Sequence, residues 1–373
     1  PNSPIPNCKI ILTDKKKIYF FSCPKKINQI KKNKQYKNLI FCTYKDFSKV
    51  IYKLKGKNFC IDNLTCSISN ESIISKSFRI KLKTDPCYMM KSIKNKIEIK
   101  HTRDAHFKDG LALTKFIFWI KNINQKKITE IEAKNKLEKF RRLNKDYLFP
   151  SFDTIAGTGS NGAIIHYRVN KKSNKVIKKN DIFLCDSGGQ YNYGTTDVTR
   201  TICFSEQKKS IKDAFTNVLK GHIAVAQTNL NKINTGKKID ASARKFLNRD
   251  GLDYAHGTGH GVGFFLNVHE GPQSISKYNS VKIKEGMILS NEPGYYKKGY
   301  YGIRIENLVY VKKNKKNLQF ENLTLAPIEA KLINYKLLSK SEKDYLFKYH
   351  LTIYSMYYKF LNMKERKWLA SLI

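Results

Sequence analysis

The chain has 373 residues, and its composition excludes several classes of protein. Hydrophobic residues make up 41% of the sequence and aromatic residues 12%, and this composition is too apolar for a disordered chain. A chain of this length can bury a substantial core, and we expect it to fold as two domains. No apolar run approaches the ~20 residues of a membrane-spanning helix. No secretory signal opens the sequence, which begins with Pro rather than Met. We therefore expect a cytoplasmic protein with no membrane partner.

The charge is strongly positive, with 71 Lys and Arg against 30 Asp and Glu and a formal net charge of +41. One interpretation is a protein that binds nucleic acid or an anionic membrane. The other is compositional drift, in which Lys, Ile and Asn rise together across the whole chain. The lysines form short scattered runs among asparagines and are typical of solvated surface. This pattern favours drift, and we expect no specific nucleic-acid partner.

Eight cysteines are present without any CxxC pair or regular spacing. Several lie in apolar stretches, as Cys42 and Cys60 do. We expect small buried hydrophobic residues in a reducing compartment, rather than disulfides or zinc ligands.

The first part of the chain alternates short strands with helices. The hydrophobic pattern predicts strands at 17–21, 38–42 and 58–61 and a helix at 47–54. These elements predict a small α/β domain over residues 1–92, without recognisable chemistry of its own.

The next part begins with long helices. An apolar stripe predicts a helix over 104–121, and Thr129 with Glu132 forms a capping box that opens a second helix ending near residue 143. Further helices are expected at 210–230 and 241–249, among short strands and glycine-rich turns, so this region is α+β. The aromatic-rich sequence from residue 339 predicts a helical tail that is buried or faces a partner, and such tails more often belong to the core than to a binding site.

Two aspartates flank a predicted hairpin. An apolar strand at 182–185 delivers Asp186, a glycine-rich turn follows, and Asp197 opens a returning strand over 197–204. Antiparallel pairing would place the two carboxylates side by side.

Three histidines lie in one glycine-rich stretch. His256 and His260 have the spacing of a helical zinc motif, but glycines at 257, 259, 261 and 263 argue against a helix and favour a tight turn close to a ligand. His269 follows nine residues later. His166, at the end of a predicted apolar strand over 161–167, is a further candidate.

Two glutamates complete the set. Glu292 ends an apolar segment just before Pro293, which stops the strand. We expect one central strand over 302–311, with Arg304 and Glu306 on the same face. A buried Glu306 needs a cation, because an unpaired interior carboxylate is costly, and the choices are a metal or an ion pair with Arg304.

Four carboxylates and one imidazole form a hard, oxygen-rich ligand set. The members are Asp186, Asp197, His260, Glu292 and Glu306. This set suits two divalent ions that share carboxylates better than a single zinc ion. Two such ions can generate a hydroxide at neutral pH, so the expected chemistry is hydrolysis.

These motifs resemble the pita-bread metallopeptidases, the superfamily of methionine aminopeptidase, prolidase, aminopeptidase P and creatinase. DSGGQYNYGTTDVTRT, HGTGHGVGFFLNVHEGP and SNEPGYYKKGYYGIRIEN are most similar to aminopeptidase P of the larger, multidomain type. The resemblance implies an α+β pita-bread catalytic domain over residues 93–322 and a C-terminal extension over 323–373. Residues 1–92 resemble, more weakly, the middle domain of those enzymes.

The resemblance also implies roles for the site residues. Asp186 and Asp197 would bind one metal, His260 and Glu292 the second, and Glu306 would bridge both, with manganese as the usual ion. A hydroxide between the metals would attack the carbonyl before proline, with Glu292 as the catalytic proton carrier. The residues expected to bind or polarise the substrate are His166, His256, His269 and Arg304. The expected substrates are peptides with proline at the second position, and a homodimer is left open.

Two alternatives accompany this hypothesis. A prolidase of the same fold would cleave Xaa-Pro dipeptides only. A non-catalytic pita-bread protein would bind peptides or RNA, although such relatives usually lose metal ligands, and all five are present here.

Overall fold

The computed structural model describes residues 2–4, 7–36, 38–123 and 127–373. The chain divides into a smaller unit, Ile5–Tyr88, and a larger unit formed by Met89–Ile373 with Pro1–Pro4. The domain bounds predicted after residues 92 and 322 stay predictions. Among the described residues, every helix is too short or too polar to cross a lipid bilayer.

The smaller unit is α/β. Its elements are β1 (Lys9–Leu12), β2 (Ile18–Ser22), α1 (Pro24–Lys31), β3 (Leu39–Thr43), α2 (Phe47–Lys53), β4 (Asn58–Ile61), α3 (Ile68–Ser75) and β5 (Arg79–Leu82). Strand β2 pairs antiparallel with β1 and parallel with β3, and β4 pairs parallel with β5. The three predicted strands and the predicted helix are confirmed to within one residue at each end. Their apolar faces meet around Phe21, Phe47 and Ile51.

The helices that follow are α4 (Pro86–Ser92), α5 (Lys96–Lys121), α6 (Glu130–Arg142), α7 (Lys209–Ala226), α8 (Gly236–Asn248), α9 (Lys340–Tyr357) and α10 (Met363–Ala370). The capping box of Thr129 and Glu132 at the start of α6 is confirmed. The predicted start of α5 at residue 104 is wrong, because Asn95 and Glu98 form a capping box that begins this helix eight residues earlier. Helix α8 also begins before the predicted residue 241, and α7 ends before residue 230.

The described residues of the larger unit contain short antiparallel strands in five small sheets. The strands are β6 (Tyr147–Pro150), β7 (Ile155–Thr158), β8 (Ile182–Ser187), β9 (Gly189–Tyr191), β10 (Gly194–Thr195), β11 (Val198–Cys203), β12 (Gly259–His260), β13 (Ser274–Ile275), β14 (Ile288–Asn291), β15 (Gly294–Lys297), β16 (Tyr301–Arg304), β17 (Asn307–Asn314) and β18 (Asn317–Asn322). The sheet orders are β7-β8-β11, β6-β9-β10, β12-β13, β14-β17-β18 and β15-β16.

The single strand predicted over 302–311 is wrong. The chain forms β16, which pairs with β15, and then β17, which pairs with β14. Between them the Ile305 N–H donates to the Pro293 carbonyl, and the Glu306 N–H donates to the Thr199 carbonyl. The two residues change partners as the chain passes from one sheet to the next, so Glu306 lies in a short break between strands.

The strand predicted over 161–167 is also wrong. A 3-10 helix, Gly159–Ala163, follows β7, and His166 lies in the turn after it. A Cβ on Gly162 would lie 3.0 Å from the Gly157 carbonyl oxygen, so the backbone folds back closely on itself here.

The tail helices contribute to the main core, as predicted. Tyr349 and Ile353 of α9 and Leu369 of α10 are buried in one cluster with Phe215 of α7 and Ile303 of β16. The cysteines follow their prediction only in part. None of the eight forms a disulfide, but only Cys185 and Cys203 are buried, and Cys60 and Cys87 are exposed.

Candidate metal centre

The paired strands β8 and β11 hold the two predicted aspartates. Asp186 lies directly opposite Thr199, and Asp197 immediately precedes β11. Both aspartates are buried, with 8% and 3% of their surface exposed. Oxygens of Asp186, Asp197 and Glu306 lie within 4.8 Å of one another, although Glu306 is far from both aspartates in sequence.

The second half of the site comes from β12 and the end of β14. His260 Nδ1 lies 3.0 Å from the Gly261 carbonyl, so Nδ1 carries the proton and donates it. Nε2 then points at Asp197 Oδ2 and Glu292 Oε1, 3.4 Å from each. Ser290 links His260 to Glu292, because its hydroxyl accepts from the His260 N–H and donates to Glu292 Oε1.

The glycines of the HGTGHG segment allow this close packing. A Cβ on Gly259 would lie 2.0 Å from the Ser290 carbonyl oxygen, and one on Gly261 would lie 2.1 Å from that of Glu270. No side chain fits at either position without moving backbone, so glycine at 259 allows β12 to approach β14, and glycine at 261 allows the chain to approach Glu270. The predicted absence of a helix is confirmed for this segment, but the predicted tight turn is wrong, because Gly259 and His260 form the short strand β12, which pairs with β13.

The structure brings all five predicted ligands together around one cavity of about 320 Å³. Three overlapping groups offer ligand atoms within 4.8 Å of one another: Asp186, Asp197 and Glu306; His260, Glu292 and Glu306; and Asp197, His260 and His269. Shared members connect the groups, as expected for side chains that bridge neighbouring ions.

The electrostatics of the site follow from burial and crowding. Burial, with the Asp186 and Glu292 carboxylates nearby, raises the pKa of Asp197 well above its usual range. Burial and the charges of Asp197 and Glu292 do the same to the pKa of Glu306. Burial also acts to raise the pKa of Glu292, but the facing His260 and His256 outweigh it and lower that pKa.

Arg304 contacts Asp186 rather than Glu306. Its Nη2 donates to Asp186 Oδ2 at 2.6 Å, and its Nε donates to Thr199 Oγ1 at 3.0 Å. The Thr199 hydroxyl in turn donates to Glu306 Oε2 at 2.7 Å. The ion pair considered between Arg304 and Glu306 is therefore wrong, because the break between β16 and β17 turns these side chains toward different partners.

The sequence reasoning missed Tyr296. Its hydroxyl accepts from Arg304 Nη1 at 2.6 Å and lies 2.8 Å from His256 Nε2. His256 Nδ1 lies 2.8 Å from the Gly257 carbonyl and must donate to it, so in the neutral ring Nε2 accepts from Tyr296. Burial lowers the pKa of His256, which keeps the ring neutral, and raises the pKa of Tyr296 to about 12. The available signal was the register of the β15–β16 hairpin. Gly294 pairs with Arg304, and Tyr296, two residues further along β15, lies on the same face of the strand as Gly294.

The remaining predicted histidines lie at the edge of the cavity. The rings of His269 and His260 are 4.0 Å apart, and the charge of His260, with burial, lowers the pKa of His269 to about 4. His166 is exposed and lines the same cavity, as do Phe152 and Arg168, which the sequence reasoning did not select.

The residues fit a pair of divalent cations. Four carboxylates converge here, while Arg304 is the single buried cationic side chain among the described residues that line the cavity. Asp186 Oδ1 is buried and has no hydrogen-bond partner in the described structure. Burying several carboxylates, one of them with an unpaired oxygen atom, costs free energy unless cations balance the negative charge.

Known proteins are similar to this chain in sequence and in fold. Residues 100–313, which hold every site residue described above, match the sequence profile of metallopeptidase family M24, and this match covers more than half of the chain. The chain belongs to metallopeptidase family M24. Residues 316–372 match a second profile, the C-terminal region of peptidase M24, which includes α9 and α10.

Individual relatives extend the likeness beyond the M24 region. The chain is 42% identical over 348 residues to the Probable Xaa-Pro aminopeptidase P of Coprinopsis cinerea, across 89% of this chain and 55% of that protein. The X-prolyl aminopeptidase of Caenorhabditis elegans, a cytosolic enzyme with a di-nuclear active site, superposes with a TM-score of 0.88 at 30% identity. That superposition covers 99% of this chain and 63% of the other. Prolidase from Pyrococcus furiosus gives a TM-score of 0.71 at 27% identity over 87% and 92% of the two chains.

These comparisons confirm the predicted α+β pita-bread fold of the M24 family, with its small N-terminal unit and helical C-terminal region. The chain spans about half the length of the curated relatives it matches.

Proposed function

We propose that this M24 chain is a metal-dependent Xaa-Pro aminopeptidase, which removes the N-terminal residue from peptides with proline at the second position. The observation that carries the proposal is the convergence of Asp186, Asp197, His260, Glu292 and Glu306 on one cavity. The choice within the family rests on the similarity to aminopeptidase P proteins, which extends outside the catalytic region into the C-terminal tail.

The five side chains would hold two divalent cations, and manganese is our proposal for both. Asp186 and Asp197 would bind the first cation, His260 and Glu292 the second, and Glu306 would contact both. When bound, the two cations would supply a strong nucleophile from water at neutral pH and polarise the peptide carbonyl.

Glu292 would move the proton during hydrolysis. Its lowered pKa keeps the carboxylate ionised at neutral pH, and the Ser290 hydroxyl fixes the orientation of Oε1. A carboxylate in this state can accept a proton from water and return it to the leaving nitrogen.

The other polar side chains would bind and orient the peptide. His166 and His269 lie at the cavity edge, where an incoming peptide would pass. His256 and Arg304 share the Tyr296 hydroxyl, which ties their positions together. We propose that the four cavity-lining groups His166, His256, His269 and Arg304 contact the substrate around the scissile bond.

Further proposals concern the setting of the enzyme. We place it in the cytoplasm, as its cytosolic relative is, without a membrane partner or a specific nucleic-acid partner. A homodimer remains a hypothesis that sedimentation analysis would test. The high positive charge is assigned to solvated surface lysine.

One assay tests the central proposal. Metal-free protein is mixed with an Xaa-Pro-Yaa peptide, with and without added Mn²⁺, and the released N-terminal amino acid is measured. We expect metal-dependent release, lost in Glu292→Gln and kept in Glu285→Gln, a matched change at an exposed glutamate in the same unit. Absence of release from the wild-type protein with Mn²⁺ would reject the proposal.

The likeness to prolidases makes dipeptidase activity the second candidate. Cleavage of Xaa-Pro dipeptides without cleavage of Xaa-Pro-Yaa would establish it. A protein inactive with Mn²⁺ that binds RNA tightly, with an affinity that falls steeply with salt, would instead establish the non-catalytic alternative.

A further inference from the structure

A fully buried arginine lies behind the candidate metal centre. Arg200 of β11 is 1% exposed, and all its N–H groups have partners. Nε donates to the Pro327 carbonyl, Nη1 to the carbonyls of Thr199 and Glu306, and Nη2 to Asn307 Oδ1, the Ala326 carbonyl and the Tyr349 hydroxyl. Among the described residues none of these acceptors is a carboxylate, so the hydrogen bonds come from dipoles, and the charge of the Glu306 carboxylate acts on the guanidinium only through space.

Two of these bonds reach the backbone of the metal centre. Nη1 is 2.8 Å from the Thr199 carbonyl oxygen and 2.6 Å from that of Glu306. The side chains of the same two residues meet in the site, where Thr199 Oγ1 donates to Glu306 Oε2. Glu306 lies in the break between β16 and β17, outside any strand, so Arg200 replaces the pairing that a regular sheet would give its carbonyl.

The C-terminal region holds the other side of this guanidinium. The Tyr349 hydroxyl of α9 accepts from Arg200 Nη2 at 3.0 Å and donates to the Ala326 carbonyl at 2.9 Å. Tyr349 is 5% exposed and its ring is fixed in the main core. Arg200 therefore has one side on the metal centre and the other on the tail.

We propose that Tyr349 is a positioning residue of the candidate metal centre, acting through Arg200 on the backbone that carries Glu306. The inference rests on the proposed function and gives the C-terminal region a part in catalysis besides its part in the core. Outer groups that orient metal ligands change metal affinity or activity by about 10- to 100-fold when they are removed.

Tyr357→Phe is the matched control for Tyr349→Phe. Both tyrosines lie on α9, both are buried, and each hydroxyl donates to a carbonyl of the same segment, Leu325 for Tyr357 and Ala326 for Tyr349. Only Tyr349 contacts Arg200. Each variant loses one buried hydroxyl and one carbonyl bond. Tyr349→Phe also removes an acceptor of the Arg200 Nη2 and Ala326 N–H groups, so we expect the larger decrease in melting temperature for Tyr349→Phe.

The two variants are compared by Mn²⁺ titration of the metal-free 373-residue chain in a calorimeter, and by kcat and KM on an Xaa-Pro-Yaa peptide. We expect Tyr349→Phe to weaken Mn²⁺ binding and lower kcat by about tenfold each, with KM nearly unchanged. Tyr357→Phe should leave both quantities near the wild-type values. Equal effects of the two variants on Mn²⁺ affinity and kcat would overturn the inference. The C-terminal region would then have a structural role only.

A double-mutant cycle tests the route through Arg200. Arg200→Lys keeps the charge but cannot form the same fork of bonds, so we expect about a 100-fold loss in kcat. Because Tyr349 acts through Arg200, adding Tyr349→Phe to Arg200→Lys should cause little further loss. Losses that multiply would contradict the route. If Arg200→Lys fails to fold, the tyrosine comparison still decides the inference.

The wild-type protein separates failure of the inference from failure of the proposed function. Wild-type chain that neither binds Mn²⁺ nor cleaves the peptide overturns both. Wild-type chain that binds Mn²⁺ without cleavage overturns the peptidase assignment alone, and the Mn²⁺ affinities of the two tyrosine variants still decide the inference.

Discussion

The two units of this chain bury different kinds of side chain. In the smaller unit, Ile5–Tyr88, Ser22 is the single buried polar side chain among the described residues, and the core consists of aromatic and branched apolar groups. The larger unit buries carboxylates, guanidinium groups and imidazoles in number. Burial of a charge costs free energy, so the difference shows where the molecule accepts that cost.

Within the larger unit the buried charges differ again. Asp109 accepts two hydrogen bonds from Arg141 and one from Tyr191, so this buried ion pair is balanced by protein groups alone. At the candidate metal centre the carboxylates outnumber their protein partners, and burial together with the neighbouring carboxylates raises the pKa values of Asp197 and Glu306. Unbalanced buried charge, rather than buried charge as such, therefore marks the functional site.

The largest expected effect comes from removal of one of these charges. In Asp197→Asn we expect Mn²⁺ binding to be lost and kcat to fall by more than about 10,000-fold. The metal-free variant should also resist urea better than metal-free wild type, because the raised pKa of Asp197 means that its ionised form destabilises the fold at neutral pH. Calorimetric Mn²⁺ titration and urea unfolding measure both effects.

The control for that prediction is Asp104→Asn, at an exposed position on α5. It should change neither property. Lower urea resistance of metal-free Asp197→Asn would contradict the view that this site holds unbalanced charge.

In the apolar core of the smaller unit, we expect removal of a buried side chain to lower stability and to leave Mn²⁺ binding unchanged. Phe21 is fully buried and packs edge-to-face on Phe47, with ring centroids 5.4 Å apart. Phe21→Ala should destabilise this unit by about 4 kcal/mol, measured by hydrogen exchange of its amides. The exposed Leu12→Ala should have little effect. Mn²⁺ affinity should not change in either variant, and a large change would show that this unit contributes to the metal centre.

A buried neutral histidine in the larger unit, His350, should make the stability of the fold depend on pH. His350 is 1% exposed, accepts from the Ile328 N–H at 3.1 Å, and has a pKa lowered to about 4 by burial and by the charge of Arg200. The unfolded chain takes up this proton near pH 6.5, whereas the folded chain does so only near pH 4. Stability should therefore fall by about 3 kcal/mol as the pH drops between these values, with no contribution from this group above pH 6.5.

Urea unfolding at several pH values measures that slope. His350→Gln should show a smaller slope than wild type, and His101→Gln, at a partly exposed position, should keep it. Equal slopes for wild type and His350→Gln would refute the prediction.

The smallest effect is expected at Tyr296. Tyr296→Phe removes the hydroxyl between Arg304 and His256, so both would lose orientation while every predicted metal ligand stays in place. We expect about a tenfold decrease in kcat without a change in Mn²⁺ affinity. Tyr295→Phe, on the neighbouring residue of the same strand, is the control. A loss of Mn²⁺ affinity in Tyr296→Phe would place this hydroxyl among the groups that hold the cations.

Much of the site could be predicted because its chemistry depends on residue type and order. Asp186 and Asp197 bound a hairpin that the apolar pattern predicts, and the glycines around His260 exclude a helix. Their convergence with Glu292 and Glu306 required the family resemblance, since long-range contacts have no local signal.

The errors arose where partners distant in sequence decide the backbone. The break at Glu306 depends on bonds to Pro293 and Thr199, which no local pattern reveals. His166 lies in a turn because Gly162 folds against Gly157. The early start of α5 does have a local signal, because the capping box of Asn95 and Glu98 can be recognised in the sequence.

The chain contains 61 lysines and only ten arginines, and the two are distributed unequally with depth. Three arginines, Arg141, Arg200 and Arg304, are buried, whereas Lys94 is the single buried lysine among those the structure describes. Lysine, with one point-like ammonium group, cannot replace a planar fork that meets several acceptors at once. At each of these three buried arginines, a change to lysine should therefore leave buried acceptors without a donor.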